Sequence, residues 1–330
     1  MTTYYVDPGA EGENDGTSWD DAWTSLQSAA DTAAAGDTVY CRGTQNLSAA
    51  IDFDTASGTY NGGYIKFIGC NASGVNDGTR FTLKRTANTI NGIYVNGVSF
   101  VWLENISIED CTGTAGIAVA NAYSDKWRLI NVRCHNNTGR GAFINTYGRR
   151  WSCHGCVFTA NGGTGIYRPS ASKFHGCVFN GNGSHGVEQS TSNYYDSCIF
   201  HNNTGYGIDF YASGSFSNCV VDGNGGGGVK ISYATSDYML TGCRITNHSA
   251  SGKVGVDVTD DTRVGLTGCY FGNNATDVTA NRYDIIPING ATDHVILGGS
   301  DTNHGYTDQT ADDFNLRSDA SIRAYAVPLP

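Results

Sequence analysis

Charged residues and prolines are scarce in this sequence. Only 15% of its 330 residues are charged, where roughly a quarter is usual, and only six are lysine. Five prolines beside 44 glycines exclude a proline-rich linker and a collagen repeat. Few charges combined with many glycines favour short strands and turns over surface helices.

Two classes of partner are excluded by what the chain does not have. A net charge of −11 provides no basic footprint, so we expect no nucleic-acid partner. No apolar run approaches the about 18 residues of a membrane span, so we expect no membrane partner. The first residues contain neither a basic region nor an apolar stretch, so no signal peptide is visible.

A repeat of 21 residues dominates the middle of the chain. It is marked by a cysteine, with an aromatic or aliphatic residue two positions later and an asparagine five positions later. Nine positions after the cysteine, a glycine opens a short strand in the first four units. The cysteines, spaced by 21, 21, 21, 24 and 26 residues, are Cys156, Cys177, Cys198, Cys219, Cys243 and Cys269.

This period predicts an all-β protein, a parallel β-helix of about ten turns. The unit is too short for a two-helix repeat and has no helical periodicity. Equivalent residues of successive turns should stack about 4.8 Å apart. We expect the cysteines to form a buried packing column instead of disulfides, and the asparagines to satisfy backbone groups in a bend.

Three segments are predicted along the chain. Residues 1–36 form an N-terminal cap, in which a helix over 18–35 begins near Thr17 and ends at Gly36. Residues 37–275 form the parallel β-helix. Residues 276–330, where the period fades, form a C-terminal cap or arm.

The ends of the chain resemble those of right-handed parallel β-helix proteins of the pectin-lyase-like superfamily, of the phage tail-spike or virion-associated type. The motifs are Tyr4-Tyr-Val-Asp-Pro8, Asn14-Asp-Gly-Thr-Ser-Trp19, Leu26-Gln27, Ala35-Gly-Asp-Thr-Val-Tyr40 and Asp312-Asp-Phe-Asn-Leu316. The resemblance covers most of the chain and implies a right-handed coil and a polysaccharide partner. It leaves the activity open, because the superfamily includes polysaccharide lyases, glycoside hydrolases, tail-spike proteins and non-catalytic members.

A column of outward-facing residues lies two positions after each strand-opening glycine. It reads Tyr94, Ala118, Phe143, Tyr167, Glu188, Asp209, Lys230 and Asp257. Glu188 and Asp209 would lie about 5 Å apart on adjacent turns, so their repulsion should raise the pKa of one of them. Such a pair fits retaining glycoside hydrolysis, with Lys230 holding the second carboxylate ionised. The alternative is a charge ladder on a solvated face.

Substrate-binding residues are expected around this pair. Tyr167, Tyr195 and Tyr211 offer rings on which a sugar would stack, and Asp257 continues the column. Arg168 falls on an inward position, so either the strand bends there or the side chain reaches out at the strand end. Arg168-Pro169 resembles an element of pectate lyases, although the second arginine of that element is missing.

Metal and cofactor sites receive weaker support. The column two positions before each cysteine includes His154, His175 and Asp196, which would bind a metal, run acid–base chemistry or form a structural ladder. No cofactor is expected. Calcium stays open because the segment from Asp222 resembles a calcium loop, but Tyr233 stands at its twelfth position in place of glutamate.

One outward column is apolar. It follows the cysteines and consists of Val157, Val178, Ile199 and Val220. Such a stripe is typical of an interface, which would make the protein a homo-oligomer such as a trimer. Coverage by a loop or by the C-terminal arm is the alternative.

These observations favour a polysaccharide-recognising protein of a virion or the extracellular space, which either cleaves its glycan, as a glycoside hydrolase or lyase, or only binds it. The alternative from a different class is a non-catalytic structural or adhesion module. A bacterial polysaccharide lyase is the third interpretation.

Overall fold

The computed structural model describes residues 1–86, 88–120, 122–145, 147–232, 237–258, 263–280, 306–308 and 313–316. Within these ranges the chain forms one helix, α1 (Leu26–Thr32), and short strands. The strands are β1 (Thr3–Val6), β2 (Thr38–Arg42), β3 (Thr44–Leu47), β4 (Ile51–Phe53), β5 (Ile65–Cys70), β6 (Phe81–Arg85), β7 (Ile93–Val95), β8 (Val101–Glu104), β9 (Ile106–Glu109), β10 (Ala115–Val119), β11 (Arg128–Ile130), β12 (Arg133–His135), β13 (Arg140–Phe143), β14 (Ser152–His154), β15 (Val157–Thr159), β16 (Ile166–Tyr167), β17 (Lys173–His175), β18 (Val178–Asn180), β19 (Val187–Ser190), β20 (Asn193–Asp196), β21 (Ile199–His201), β22 (Tyr206–Phe210), β23 (Gly214–Ser217), β24 (Val220–Asp222), β25 (Gly227–Ile231), β26 (Asp237–Thr241), β27 (Arg244–Thr246), β28 (Val254–Val258), β29 (Arg263–Thr267), β30 (Tyr270–Gly272), β31 (Thr276–Ala280), β32 (Tyr306–Asp308) and β33 (Asp313–Leu316).

The strands from β1 to β31 build three long parallel sheets. Sheet A runs β1, β2, β5, β8, β11, β14, β17, β20, β23, β26, β29. Sheet B runs β3, β6, β9, β12, β15, β18, β21, β24, β27, β30. Sheet C runs β4, β7, β10, β13, β16, β19, β22, β25, β28, β31. From β3 onward the chain adds one strand to each sheet in every turn. The predicted all-β parallel β-helix is therefore confirmed.

The bend from sheet A to sheet B needs a residue in the left-handed region. It is the residue directly before the cysteine column, and its φ is 60° at Gly176, 54° at Ser197 and 53° at Asn218. Glycine and asparagine tolerate this conformation at little cost, which explains their frequency at this position. The residue that follows the bend then points into the core, where Cys177, Cys198 and Cys219 are buried.

The core consists of columns of stacked identical or similar side chains. All eleven cysteines are buried and unpaired, as the spacing predicted. The Cys177 thiol donates to the carbonyl of Cys153 at 3.5 Å. Next to this column, the rings of Phe158, Phe179 and Phe200 stack with centroid distances of 5.4 and 4.8 Å. The cysteines therefore act as small apolar residues with a weak donor.

A ladder of buried asparagines joins sheet B to sheet C. Asn182 Nδ2 donates to Asn203 Oδ1 at 2.8 Å and to the Phe158 carbonyl at 3.0 Å. The backbone N–H of Asn182 also donates to Asn203 Oδ1, at 3.1 Å. The predicted role in satisfying backbone groups is confirmed. A Cβ added at Gly186 would lie 3.0 Å from Asn203 Nδ2 and 2.5 Å from the Gly207 carbonyl oxygen. This lack of space explains the glycine four positions after each asparagine of the ladder.

The helix at the N-terminal end is shorter than predicted. Ser25 caps α1 by accepting from Gln27 N–H, and the residues before it form a looped segment in which Ser18 Oγ donates to Asp21 Oδ2 at 2.9 Å. Leu26, Ala29 and Ala30 are buried. Strand β1, which precedes the helix, adds a parallel rung beside β2 in sheet A.

The C-terminal segment is described only in part. Strand β31 continues sheet C, and β32 and β33 pair antiparallel with each other. The remainder of the predicted arm over 276–330 lies outside the described residues. The division into cap, β-helix and arm stays a prediction.

The asparagine ladder makes a stability prediction. Replacing Asn182 with alanine removes the acceptor of Asn161 N–H and Nδ2 and the donor to the Phe158 carbonyl. We expect a loss of about 2–4 kcal/mol in the free energy of unfolding, because these buried groups would lack partners. Asn180→Ala is the control, since Asn180 makes no side-chain hydrogen bond among the described residues and should change stability by less than about 0.5 kcal/mol. Equal effects in chemical denaturation would contradict the prediction.

The cysteines predict a sharp contrast in thiol reactivity. Burial raises the pKa of Cys177 well above its usual value, so the thiolate is disfavoured as well as shielded. We expect almost no reaction of the native protein with a disulfide reagent at pH 8 and reaction of all eleven thiols in denaturant. Prompt labelling of most thiols in the native protein would show that the column is open.

Candidate functional site

The outward column of sheet C lies where the sequence predicted it. Successive turns pair in the order Tyr94, Ala118, Phe143, Tyr167 and Glu188, and then Asp209, Lys230 and Asp257. The column is continuous except between Glu188 and Asp209. A polymer lying along the coil axis would therefore contact these side chains one after another.

A β-bulge interrupts the column between β19 and β22. Val187 pairs with Ile208, but Ser190 pairs with Phe210, so two residues of β19 face one residue of β22. Glu188 and Gln189 thus lie opposite Asp209. The two carboxylates are on adjacent strands, but the direct stacking that the sequence predicted is replaced by the bulge.

The bulge region also explains the two polar residues at inward positions. Arg168 has a φ of 55° and Gln189 a φ of 54°, so both have the left-handed conformation. This conformation breaks the alternation of the strand and turns the Arg168 side chain to the exterior, where it is exposed. Arg168 Nε donates to Gln189 Oε1 at 2.5 Å, and its guanidinium carbon lies 5.1 Å from the Tyr167 ring centroid.

Aromatic rings and cations share the turns below the bulge. The rings of Phe143 and Tyr167 stack with centroids 5.5 Å apart. The guanidinium of Arg140 lies 4.4 Å from the Tyr167 centroid. These contacts fix the ring of Tyr167 and place positive charge beside it.

Asp209 is the carboxylate whose pKa is raised at this site. Burial is the main cause, and the carboxylate of Asp257 adds to it. Lys230, a hydrogen bond from Ser232 Oγ at 3.0 Å, and His185 act in the opposite direction. The sequence predicted that repulsion between Glu188 and Asp209 would raise the pKa of one of them, but the pKa of Asp209 is raised by burial and, to a smaller extent, by Asp257.

Tyr206 connects the side chains of Asp257, His185 and Lys230 beside Asp209. Tyr206 Oη donates to Asp257 Oδ2 at 2.7 Å, and burial, followed by this hydrogen bond, raises the pKa of Tyr206. Its ring stacks on His185 at 5.9 Å, and Lys230 Nζ lies 5.7 Å from its centroid. His185 Nδ1 accepts from Tyr206 N–H at 2.8 Å, which leaves Nε2 to carry the imidazole proton.

Sequence reasoning did not assign roles to Arg140 and His185. Both stand directly before a strand-opening glycine, in the same column as Tyr206. A search of that column, one position away from the glycine, would have found all three residues.

The expected binding role of Tyr195 is wrong. Tyr195 is 0% exposed, stacks on Phe174 at 4.8 Å and shares a hydrogen bond with Ser190 Oγ. Strand alternation instead places its neighbour Tyr194 outside, where it is 41% exposed. Tyr211, directly after β22, is 52% exposed and accessible to a ligand.

The histidine column is assembled in register but does not form a metal site. His154 pairs with His175, and His175 with Asp196, on successive strands of sheet A. His175 Nδ1 lies 2.8 Å from Asp196 Oδ2, whereas His154 Nε2 is bonded to Ser152 Oγ at 2.9 Å. No group of three His, Cys, Asp or Glu side chains within the described ranges is placed to hold a metal ion.

The resemblance of the Asp222 segment to a calcium loop is not supported. Asp222 Oδ1 accepts from Thr246 Oγ1 at 2.7 Å and from Asn247 Nδ2 at 2.6 Å. Asp222 Oδ2 lies 3.1 Å from His201 Nδ1. Its oxygens are therefore engaged by donors from neighbouring turns.

The apolar stripe forms a straight row on sheet B. Its four members, Val157, Val178, Ile199 and Val220, pair in register on successive strands. Ile199 is 41% exposed. The stripe is accessible at this position, and its use as an oligomer interface stays a prediction.

The described part of the chain contains no helix with the length and apolar character needed to cross a membrane.

Comparison with known proteins identifies the family. The family model described as "Right handed beta helix region" matches residues 40–194 and 91–245, which together run through more than half of the chain. The chain belongs to this family, and the predicted right hand of the coil is confirmed. No curated protein sequence matches the chain.

Solved structures share the pectin-lyase-like fold at low identity. Pectate lyase Pel9A has 15% identity and a TM-score of 0.63, covering 98% of this chain and 90% of the lyase. An alginate lyase from Paenibacillus sp. str. FPU-7 has 14% identity and a TM-score of 0.64, covering 78% and 95%. Tailspike protein 2 from Escherichia coli O157:H7 bacteriophage CAB120 has 15% identity and a TM-score of 0.62, covering 86% of this chain but 42% of the tailspike. At these identities the similarity shows the fold.

The half-buried carboxylate of Asp209 predicts a pH-dependent stability effect. Because the pKa of Asp209 is raised on folding, the native state binds its proton more readily than the unfolded state does, and stability falls as pH rises through the raised pKa. Asp209→Asn removes this ionisation, so we expect the variant to be more stable than the parent at pH 7, by up to about 1 kcal/mol. The difference should shrink on acidification. Asp196→Asn, which changes the contact to His175, should give no such gain in stability. Thermal unfolding of both variants and the parent at pH 7 and at an acidic pH checks the prediction.

Proposed function

We propose that the protein binds a polysaccharide along the outer face of sheet C and cleaves it by hydrolysis, with Asp209 as the proton donor. The observation that carries this proposal is the partial burial of one carboxyl group, that of Asp209, within an outward-facing column. A surface ladder of solvated charges would leave that carboxyl group readily ionised, whereas burial favours the protonated form that a general acid needs.

The turns below Asp209 offer a binding surface for the polymer. Tyr167 stacks on Phe143, and the guanidinium of Arg140 lies 4.4 Å from the Tyr167 centroid and 5.3 Å from the Phe143 centroid, so the ring of Tyr167 is fixed before a ligand arrives. Arg168 is exposed beside it, and Tyr211 is exposed directly after β22, the strand that holds Asp209. Rings of this kind stack on sugars, and the arginines would bind hydroxyl or carboxylate groups of the chain.

The chemistry would use both carboxylates of the bulge region. Protonated Asp209 would transfer its proton to the glycosidic oxygen as the bond to the anomeric carbon breaks. Glu188, on the adjacent strand, would attack the anomeric carbon, and water would then release the sugar while Asp209 acts as a base. Adjacent strands are about 4.8 Å apart, which fits the short carboxylate separation of retaining enzymes.

A lyase reaction is the second candidate, favoured by the contact between Tyr206 and Asp257. Two of the structural relatives are named as lyases of pectate and of alginate. In a lyase, Tyr206 would pass its phenolic proton to Asp257 and remove the proton from the carbon next to the sugar carboxylate. The bond from the sugar to the glycosidic oxygen would break, Lys230 would give that oxygen a proton, and one product would contain a double bond. Asp257 retains a place in either reaction through its hydrogen bond to Tyr206.

The location and assembly are proposed on the same basis. The likeness to a bacteriophage tailspike supports a virion or extracellular setting, where a polysaccharide surface would be the target. The apolar stripe on sheet B would then join copies of the chain into a homo-oligomer such as a trimer. Sedimentation of the parent and of an Ile199→Lys variant tests the assembly separately from the chemistry.

Substitution of the two carboxylates tests the proposed function. Asp209→Asn and Glu188→Gln should each lower turnover by about 10²–10⁴-fold while changing polymer affinity only a few-fold, because each removes a proton-transfer or nucleophilic group but retains its shape. Asp196→Asn on sheet A is the control and should retain full activity. New reducing ends without products that absorb ultraviolet light identify hydrolysis. Unsaturated products, which absorb ultraviolet light, identify a lyase.

Two results would contradict this assignment. Cleavage that survives both substitutions would place the chemistry on another face. Polymer binding by the parent protein with no new reducing ends on any acidic or neutral glycan tested would identify a non-catalytic adhesion or structural module.

A further inference from the structure

Sheet A carries a second outward row of chemically related side chains, on a different face from the proposed catalytic column. The row is one residue per turn, and its six members pair in register on consecutive strands. In order along the axis they are Lys66, Trp102, Arg128, Ser152, Lys173 and Tyr194. We refer to these six residues as the cation row.

Positive charges occupy every second position of this row. Lys66 and Arg128 are separated by the turn of Trp102, and Arg128 and Lys173 by the turn of Ser152. With a strand spacing of about 4.8 Å, the cations recur every 10 Å or so along a straight line. This regular arrangement stands out in a chain of net charge −11 with six lysines.

Trp102 holds the first two cations in place. Lys66 Nζ lies 5.3 Å from the ring centroid and the Arg128 guanidinium carbon 4.2 Å from it. Because Lys66 is on the turn before Trp102 and Arg128 on the turn after, the ring separates two like charges that would otherwise repel each other. The cations are therefore ordered before any ligand binds, which lowers the entropy lost on binding.

The cations of the row are not neutralised by the protein. Within the described ranges, neither Lys66 nor Arg128 nor Lys173 has a carboxylate oxygen within 4.0 Å, whereas Lys84 on sheet B contacts two acidic side chains. The carboxylate of Glu104, which lies on the Trp102 strand, instead accepts from Trp102 Nε1 at 3.1 Å and Asn76 Nδ2 at 3.0 Å. Arg128 Nε is shielded and makes no hydrogen bond among the described groups.

The row continues into an open depression at its far end. The depression has a volume of about 380 Å³, and Tyr194, Ser215 and Met239 contribute to its lining. Tyr194 is the exposed ring of the row. A ligand that follows the cations would therefore reach an aromatic face and small polar groups.

We propose that the cation row is a second binding site, which holds an acidic linear polysaccharide along the coil axis through anionic groups spaced two turns apart. A polymer with one acidic sugar in each repeat of two sugars matches this spacing better than a nucleic acid, whose strands carry a phosphate about every 3.4 Å. The exposed ring of Tyr194 would stack on a sugar at the end of the row. This proposal does not rest on the catalytic assignment of sheet C.

Affinity electrophoresis of the full chain through gels containing hyaluronate, a linear polymer in which one sugar of every two is acidic, tests the proposal. The double variant Lys66→Gln/Arg128→Gln should bind at least five-fold more weakly than the parent. The matched control is Lys84→Gln/Arg244→Gln on sheet B. It also removes one lysine and one arginine charge and should bind within two-fold of the parent. Neutral dextran should not retard any of the proteins.

A second variant protects the test against a folding defect. Lys173→Gln changes an exposed side chain with no cation–π contact in the described structure, so its thermal unfolding should match that of the parent while its affinity falls at least two-fold.

Three results would overturn the proposal. Equal retardation of the sheet A and sheet B double variants would show that only net charge matters. Tighter binding of an oligodeoxythymidylate than of hyaluronate, lost in the same double variant, would identify a nucleic-acid site. A concentration-dependent dimer in sedimentation that the sheet A double variant abolishes would identify contact between copies of the chain.

Discussion

The register between successive turns, held by the buried asparagine ladder, is the constraint on which the rest of the structure depends. Asn182 binds the backbone and side chain of the turn before it through Oδ1, and Nδ2 reaches the following turn. A slip of one residue would break these bonds and would turn every core side chain outward. Because the register is fixed, a constant spacing in the sequence becomes a straight line in space.

The bulge at β19 is the place where this order is interrupted, and titratable groups gather there. An extra residue on one strand offsets Glu188 from Asp209, while the left-handed conformations of Arg168 and Gln189 bring polar side chains to the surface. Strained backbone of this kind is found at functional sites because the surrounding ladder supplies the stability that the site gives up.

Much of the fold was predictable from the repeat, because each column is occupied by one kind of residue. The inward-facing positions of sheet A could also have been predicted from the sequence. The position three before each cysteine holds Cys153, Phe174, Tyr195 and Phe216, which are all buried. This pattern would have placed Tyr195 in the core. The bulge was not predictable, because the spacing of 21 residues is unchanged across it and the extra residue is compensated elsewhere in the turn.

The helix and the cause of the raised pKa were missed for other reasons. The start of α1 depends on the side chain of Ser25 and on tertiary contacts of the preceding loop, which local helix signals at Thr17 do not reveal. The pKa of Asp209 depends on the burial of its carboxyl group and on the opposing effects of Lys230, Ser232 and His185, and spacing along one column contains no information about burial or about side chains from neighbouring columns.

The neutral core leaves the outer faces free to differ. Cysteines, aromatic rings and asparagine amides hold the turns together without charge, so an outward side chain touches mainly its neighbours on the same face. Sheet A can therefore present a row of cations, sheet B an apolar stripe and sheet C a half-buried carboxylate among aromatic rings, with one unchanged coil beneath them. For the same reason a shared coil does not determine a shared activity, and the chemistry of this protein has to be sought in its outward columns and in the bulge at β19 that disturbs one of them.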